Sequence, residues 1–293
     1  MSNWIHFSLL TPHFSLLAPD YFLIMVVFPN AKINIGLQII EKRNDGFHNL
    51  ASCFYPIGWS DVLEIIPAKE FSFSSSGIDI PGDPATNLCI KAYELLKQDI
   101  ALPSIAMHLL KIVPIGAGMG GGSADAAFVL KLLNQIFDLQ LAPADLQNYA
   151  RRLGSDCAFF IENKPQFCYE KGDQFADISL SLKGKFIVLV YPNLHISTAE
   201  AYAGVKPRTS EINLMEALQR PLPEWRNSIK NDFEDGLFLK YPVLPQIKEK
   251  LYQKGAIYSS MTGSGSTIYG IFEKETDLQN IFAPYTVWQG ELY

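Results

Sequence analysis

Between Pro114 and Ala127 the chain reads PIGAGMGGGSADAA, with glycines at 116, 118, 120, 121 and 122. Glycine loses more conformational freedom on folding than any other residue. So dense a cluster therefore marks a place where the bare main chain has a task, through positive φ or close approach to a ligand. The preceding SIAMHLLKIV reads as a strand. After the run, Ala126, Val129, Leu130, Leu133, Ile136 and Phe137 recur at helical spacing. Lys131, Asn134, Gln135 and Asp138 fill the opposite face. A glycine loop entering a helix presents unpaired first-turn N–H groups and the positive end of the helix dipole, which together cradle phosphate. Ser123 adds a hydroxyl and is placed to cap the helix. No lysine precedes Ser123, so G-x-x-x-x-G-K-[ST] is not matched. A G-x-G-x-x-G reading through Gly116, Gly118 and Gly121 lacks an acidic ribose partner after a second strand.

The rest of the chain supplies layers around this junction. AKINIGLQII alternates apolar and polar positions and predicts a strand, followed by an Asp-Gly turn in NDGFHN. DVLEIIPA and FSFSSSGIDI predict further strands, with PGDPATN as a loop. Thr86 or Asn87 caps a helix through LCIKAYELLKQ. A second helix covers Pro143 to Leu153, with Leu146, Tyr149, Ala150 and Leu153 on one side and Gly154 to end it. GKFIVLVYP is a strongly apolar strand that opens a second module. Helical segments follow around SEINLMEALQR and LPQIKEKLYQKG, and AIYSSMTGSG with STIYGIFEK forms the last strand pair. This order points to α+β layers rather than a doubly wound parallel sheet.

Composition narrows the functional classes. The 293 residues are 48% hydrophobic and 18% charged, which excludes global disorder. The net charge of -6 and the lack of a basic block exclude nucleic-acid binding through a broad positive surface. An anionic ligand must be held by local features. Cys53, Cys89, Cys157 and Cys168 are scattered without a C-x-x-C pair, as expected of reduced, buried thiols in a cytoplasmic protein. Residues 1–24 contain no Lys or Arg, and their longest apolar run is too short to span a bilayer. They are expected to be an upstream extension or a misplaced start, with an interfacial anchor as the alternative and the fold beginning near Met25.

Taken alone, several polar residues have two readings each. Asp156 in LGSDCAFF is an acid–base candidate and equally a cap for the turn after Gly154. Lys32 in PNAKIN is a site lysine or a solvated strand residue. Asn34, two positions on, shares its strand face. His48 and Tyr202 fit a ligand site or ordinary packing, and Gly263 and Gly265 in MTGSGST fit a functional loop or a hairpin turn.

PIGAGMGGGSADAA resembles the phosphate-binding motif of the GHMP small-molecule kinases, the family of galactokinase, homoserine kinase, mevalonate kinase and phosphomevalonate kinase. PNAKINIGLQIIEKRNDGFHNL, LGSDCAFF and MTGSGSTIYGIF resemble the isoprenoid-pathway branch of that family, which phosphorylates a cytidine diphospho-polyol. The likeness runs from about Met25 to about Phe272 in four separated places. It implies a two-domain α+β fold, with an ATP-binding domain over 25–182, a C-terminal domain over 183–293 and the active site in the cleft between them. It also implies that Pro114, Ile115, Gly116, Ala117, Gly118, Met119, Gly120, Gly121, Gly122, Ser123 and Ala124 wrap the phosphates of ATP.

By the same resemblance Asp156 takes the acceptor hydroxyl's proton, and the positive charge of Lys32 beside it steadies carboxylate and nucleophile. Asn34 hydrogen-bonds substrate or Asp156. Phe47 stacks on the cytosine ring, His48 reads its edge, and Tyr202 forms the second wall. Many relatives carry Tyr where this chain has Phe47, so a hydroxyl contact is lost there. Thr198 contacts the substrate phosphates, and the loop of Gly263 and Gly265 closes over them. The implied reaction moves the γ-phosphate of ATP to the polyol's 2-hydroxyl. Mg²⁺ is implied with ATP. No Asp/Glu pair stands out to hold it, and Ser123 is the one direct contact suggested. The expected partner is the polyol alone, without nucleic acid or membrane, in a monomer or homodimer. Another GHMP kinase, acting on homoserine or a sugar, and an inactive nucleotide-binding protein are the alternatives.

Overall fold

The alternating stretch after Met25 becomes the long hairpin on which the site is built. The structure is a computed structural model that describes residues 25–293, so the expectation for residues 1–24 lies outside the described residues. Strand β1 (Met25–Val27) leads into β2 (Asn30–Lys42), which turns at the Asp-Gly signal into β3 (His48–Ser60). The two pair antiparallel from Asn30↔Ser60 to Lys42↔His48. Alternation does not reveal β3, because Leu50 through Ile57 are buried on both faces of the sheet.

β4 (Val62–Pro67) and β5 (Ser72–Gly77) follow as expected. Asn87 is the cap of α1 (Leu88–Asp99), its Oδ1 accepting from the Cys89 N–H at 2.8 Å. Thr86 instead closes a short 3₁₀ turn, Pro84–Thr86, inside the stretch expected to be plain loop. β6 (Ile105–Lys111) delivers the chain to the glycine run, and α2 (Gly121–Ile136) leaves it. α3 (Pro143–Leu153) has the expected limits, but its C-cap Gly154 is extended at φ 176° rather than left-handed. α4 (Phe159–Glu162), β7 (Gln166–Tyr169) and β8 (Gln174–Asp177) complete the first half.

The apolar strand β9 (Phe186–Tyr191) opens the second half. It is followed by α5 (Thr198–Ala203), α6 (Leu214–Ala217), α7 (Trp225–Ser228), α8 (Phe233–Lys240) and α9 (Val243–Gln253). The helix expected over SEINLMEALQR shrinks to the four residues of α6, since Asn213 caps it by accepting the Glu216 N–H and so starts it three residues late. β10 (Tyr258–Met261) and β11 (Ile268–Phe272) form the expected pair but not the last strands. β12 (Thr286–Glu291) follows and pairs antiparallel with β9.

The strands make three four-stranded sheets, ordered β1-β4-β6-β5, β2-β3-β7-β8 and β10-β11-β9-β12. Among these pairs only β5–β6 is parallel. This is the α+β arrangement read from the element order. One core packs α1 and α2 on the first sheet through Leu63, Leu109, Tyr93 and Leu130. A second core joins β2 and β3 to the β9–β12 sheet through Ile33, Tyr55, Leu189 and Tyr269. There Tyr269 Oη donates to the Asn34 carbonyl at 2.9 Å. That second core packs the Ile33 face of β2, opposite Lys32, and the Asn34 N–H ties the strand to the loop between β10 and β11 by donating to Thr262 Oγ1 at 3.0 Å.

Candidate active site

The glycine run folds as a loop over the N-terminus of α2. Gly120 is the N-cap in the left-handed region (φ 70°), which places Ser123 inside the first turn rather than at the expected capping position. Gly118 also has positive φ, and a Cβ there would lie 2.1 Å from the Thr262 carbonyl oxygen. Reciprocally, a Cβ on Gly263 would lie 2.8 Å from the Gly118 oxygen. The two glycine loops thus meet main chain to main chain. Thr262 Oγ1 donates to the Gly118 carbonyl at 3.0 Å, and the Lys32 N–H donates to the Met119 carbonyl at 3.0 Å.

A cavity of about 630 Å³ opens over these loops. All of Pro114 to Ser123 lines it except Met119, whose side chain is buried in the core; so is that of Ala124. Lys32, Asp156, Thr198 and Gly263 complete the expected part of the wall. At one end the lining turns apolar, with Phe73, Ile80, Pro84, Leu88 and Leu109, a region no motif announced. Gly265 faces away, against Met261 Sδ.

Lys32 is only 3% exposed, which removes the solvated-strand reading. Its Nζ lies 3.4 Å from Asp156 Oδ2 and 4.3 Å from the centroid of the Phe54 ring, and it donates to Asn34 Oδ1. A buried ammonium is costly unless paired and hydrogen-bonded, and these contacts supply that compensation. Asn34 Nδ2 donates to Ser52 Oγ at 2.9 Å. With both ends of its amide engaged and the side chain buried, Asn34 orients Lys32. It lies outside the cavity wall and makes no hydrogen bond to Asp156. Asp156, in the turn after α3, is more open, and Ser155 Oγ donates to its Oδ1 at 3.4 Å.

Beneath the loop lies a charge cluster that the sequence reading missed. Lys111 Nζ donates to Asp61 Oδ2 at 2.5 Å and to Asp125 Oδ2 at 2.8 Å, all three side chains being buried. Asp61 Oδ1 also accepts the N–H groups of Ile112 (2.6 Å) and Val113 (2.8 Å). Asp125 Oδ1 has no partner among the described residues. Burial pushes the Asp125 carboxyl up, to about 7, with the Lys111 charge only partly offsetting it. The loop on the other side is braced similarly. Asn231 Nδ2 donates to the Met261 and Gly263 carbonyls at 2.9 and 2.8 Å, and Glu234 Oε1 accepts the Met261 N–H at 2.8 Å.

The aromatic residues gather beside this cavity rather than in its wall. His48 and Tyr202 stack directly, with ring centroids 4.5 Å apart and planes at 22°. Phe47 is 58% exposed and sits near Lys171 rather than facing Tyr202. Burial, and secondarily the Lys42 charge, lowers the His48 imidazole. The Tyr202 phenol is pushed up to about 12 by burial and then by the Asp156 charge, so the aromatic pair and the carboxylate share one neighbourhood. All four cysteines are free and buried, as expected.

The chain is similar to known proteins over most of its length. The profile described as GHMP kinases N terminal domain matches residues 87–164, and that described as GHMP kinases C terminal matches residues 214–285. A 4-diphosphocytidyl-2-C-methyl-D-erythritol kinase from Cytophaga hutchinsonii is 50% identical over 269 residues, covering 89% of this chain and 100% of the relative. The protein of that name from Bacteroides fragilis is 51% identical over 255 residues, covering 86% and 93%. A crystal structure of 4-(cytidine 5'-diphospho)-2C-methyl-D-erythritol kinase superposes with a TM-score of 0.78 at 26% identity, over 92% of this chain and 99% of the other.

Proposed function

The chain belongs to the GHMP kinases, and from that premise we propose that it transfers the γ-phosphate of ATP to the 2-hydroxyl of 4-diphosphocytidyl-2-C-methyl-D-erythritol, in the non-mevalonate route to isoprenoid precursors. The observation that carries the chemistry is the Lys32–Asp156 pair, 3.4 Å apart in the wall of the cavity that the glycine loop lines. Phosphoryl transfer is mostly positioning and charge stabilisation. The loop from Pro114 to Ala124 holds the triphosphate through main-chain N–H groups, and the apolar end of the cavity takes the adenine. Asp156 accepts the proton of the attacking hydroxyl as its oxygen bonds to the γ-phosphorus and the bond to the β–γ bridging oxygen breaks, releasing ADP. Lys32, aimed by Asn34, stabilises the oxygen during attack. His48 and Tyr202 form the nucleobase end with Phe47, and Thr198 and the Gly263–Gly265 loop hold the acceptor's phosphates.

The glycine cradle suits ATP, since its main chain lines the cavity at the N-terminus of α2, where unpaired N–H groups favour phosphate. For Mg²⁺ the donor set is sparse. No group of three metal-ligating side chains occurs among the described residues. The Ser123 hydroxyl would be the protein donor to the ion, alongside phosphate oxygens and water, and the ion would supply neutralisation of developing phosphate charge. We further place the domain boundary between 182 and 183, and the protein in the cytoplasm as a monomer or homodimer. No helix among the described residues is long and apolar enough to cross a membrane.

The test is ADP release with the cytidine diphospho-polyol, homoserine, mevalonate and galactose as acceptors. Turnover with the first and not the others is expected, and Asp156→Asn should abolish it with ATP binding kept. Turnover confined to one of the other three acceptors would refute the substrate assignment, and full activity in Asp156→Asn would refute the base.

A further inference from the structure

The cavity must hold polyanions, yet its charged side chains are nearly all committed. Among the described residues lining it, the basic ones are Lys32, Lys111 and His195. Lys32 is paired with Asp156, and Lys111 is shared by Asp61 and Asp125. His195 makes no salt bridge and no hydrogen bond with any described residue. Glu200, on the helix that follows, is already engaged by Lys240 Nζ at 2.7 Å and Tyr241 Oη at 2.5 Å.

The exposed ring nonetheless lies against the loop. A Cβ built on Gly116 would lie 2.6 Å from both Cε1 and Nδ1 of His195, so the imidazole rests on the main chain of the glycine loop. Its neighbours are anchored. Ser266 Oγ donates to the Leu194 carbonyl at 2.5 Å, Ile196 is buried, and Ser197 Oγ accepts the Glu200 N–H at 3.2 Å. A side chain with a free donor, set against a phosphate loop and open to the cavity, is placed to meet an anion. An imidazole has at least one ring N–H to donate in either protonation state.

We infer that His195 is a further phosphate-binding residue of this site, donating a ring N–H to an oxygen of a diphosphate group held over Gly116. The inference rests on the kinase reading above. Both proposed ligands carry a diphosphate, and the residue reaches across from the chain that follows β9 to the loop that precedes α2.

The experiment compares wild type with His195→Ala, His195→Phe and His195→Gln. Binding of ATP, ADP and adenosine is measured by calorimetry or competition, and KM is measured for ATP and for the cytidine diphospho-polyol. Phenylalanine keeps the ring against Gly116 without a donor, while glutamine keeps a donor. Loss of a charge-assisted hydrogen bond should weaken the ligand concerned by about tenfold in the Ala and Phe variants. Glutamine should restore most of it, and adenosine should bind unchanged. A shift in ADP and ATP identifies the nucleotide as the ligand, and a shift in polyol KM alone identifies the acceptor. The inference is overturned if neither ligand shifts by more than twofold, if adenosine weakens equally, or if glutamine performs no better than phenylalanine. Failure of the kinase reading would appear separately, as absent turnover in wild type, while ADP binding still reports on His195.

Discussion

Asp125 should make the protein less stable as the pH rises towards neutrality, and Asp125→Asn should remove that slope. One ammonium, Lys111, serves two buried carboxylates. Asp61 has two main-chain donors in addition, whereas Asp125 leaves Oδ1 bare. The proton therefore settles on Asp125. Burial raises this carboxyl from 3.8 to about 7, the Lys111 charge opposes the shift, and Asp61 adds to it. The Cys89 thiol also borders Asp125, and burial followed by the Asp125 charge pushes it well up, so it stays neutral in this range.

The folded chain thus binds this proton more tightly than the unfolded one. Its stabilising contribution is complete below about pH 4 and is lost as the pH climbs through about 7. Between pH 5 and 7 the loss integrates to roughly 2 kcal/mol. Asparagine keeps an oxygen for Lys111 and places an amide where Oδ1 is bare, so the variant carries a constant cost of about 1–3 kcal/mol but no titration. Urea unfolding of both proteins from pH 5 to 8 isolates the term as the difference between them, cancelling other groups. The stability of wild type minus that of the variant should fall steadily as the pH rises. A flat difference would mean that Asp125 does not titrate in this range, and the argument from the bare oxygen would be wrong.

Two substitutions test the remaining geometry. Gly118→Ala forces a side chain onto φ 79° and a Cβ to within 2.1 Å of the Thr262 oxygen. It should lower stability by more than about 1 kcal/mol and raise KM for ATP at least severalfold; unchanged KM and melting temperature would show that the two loops need not touch. Tyr202→Ala deletes the stack on His48. With base stacking worth roughly 1–3 kcal/mol, KM for the cytidine diphospho-polyol should rise about tenfold or more while KM for ATP holds, and the opposite pattern would move the nucleobase site elsewhere.

What the sequence reveals and what it hides divide along a physical line. The glycine loop, β2, α3 and α9 are legible because their signals are local, whether turn chemistry or a hydrophobic period. β3 is hidden because burial on both faces erases alternation. Lys32 misleads on pattern alone, since a lysine on an alternating strand reads as solvated and its partners Asp156 and Phe54 come from distant elements. Asp61, Lys111 and His195 are invisible for the same reason, each acquiring meaning only from a neighbour far along the chain. Asp125 alone left a trace. It shares the stripe of Val129 and Leu132 on α2, and an acid on a buried stripe requires a buried cation or a retained proton. That requirement also explains how a chain of net charge -6 can accommodate triphosphate. Its buried lysines are neutralised by their own carboxylates, so attraction must come from main-chain N–H groups and from a side chain with no acid of its own. In the described cavity wall the latter condition singles out His195, the residue set against Gly116.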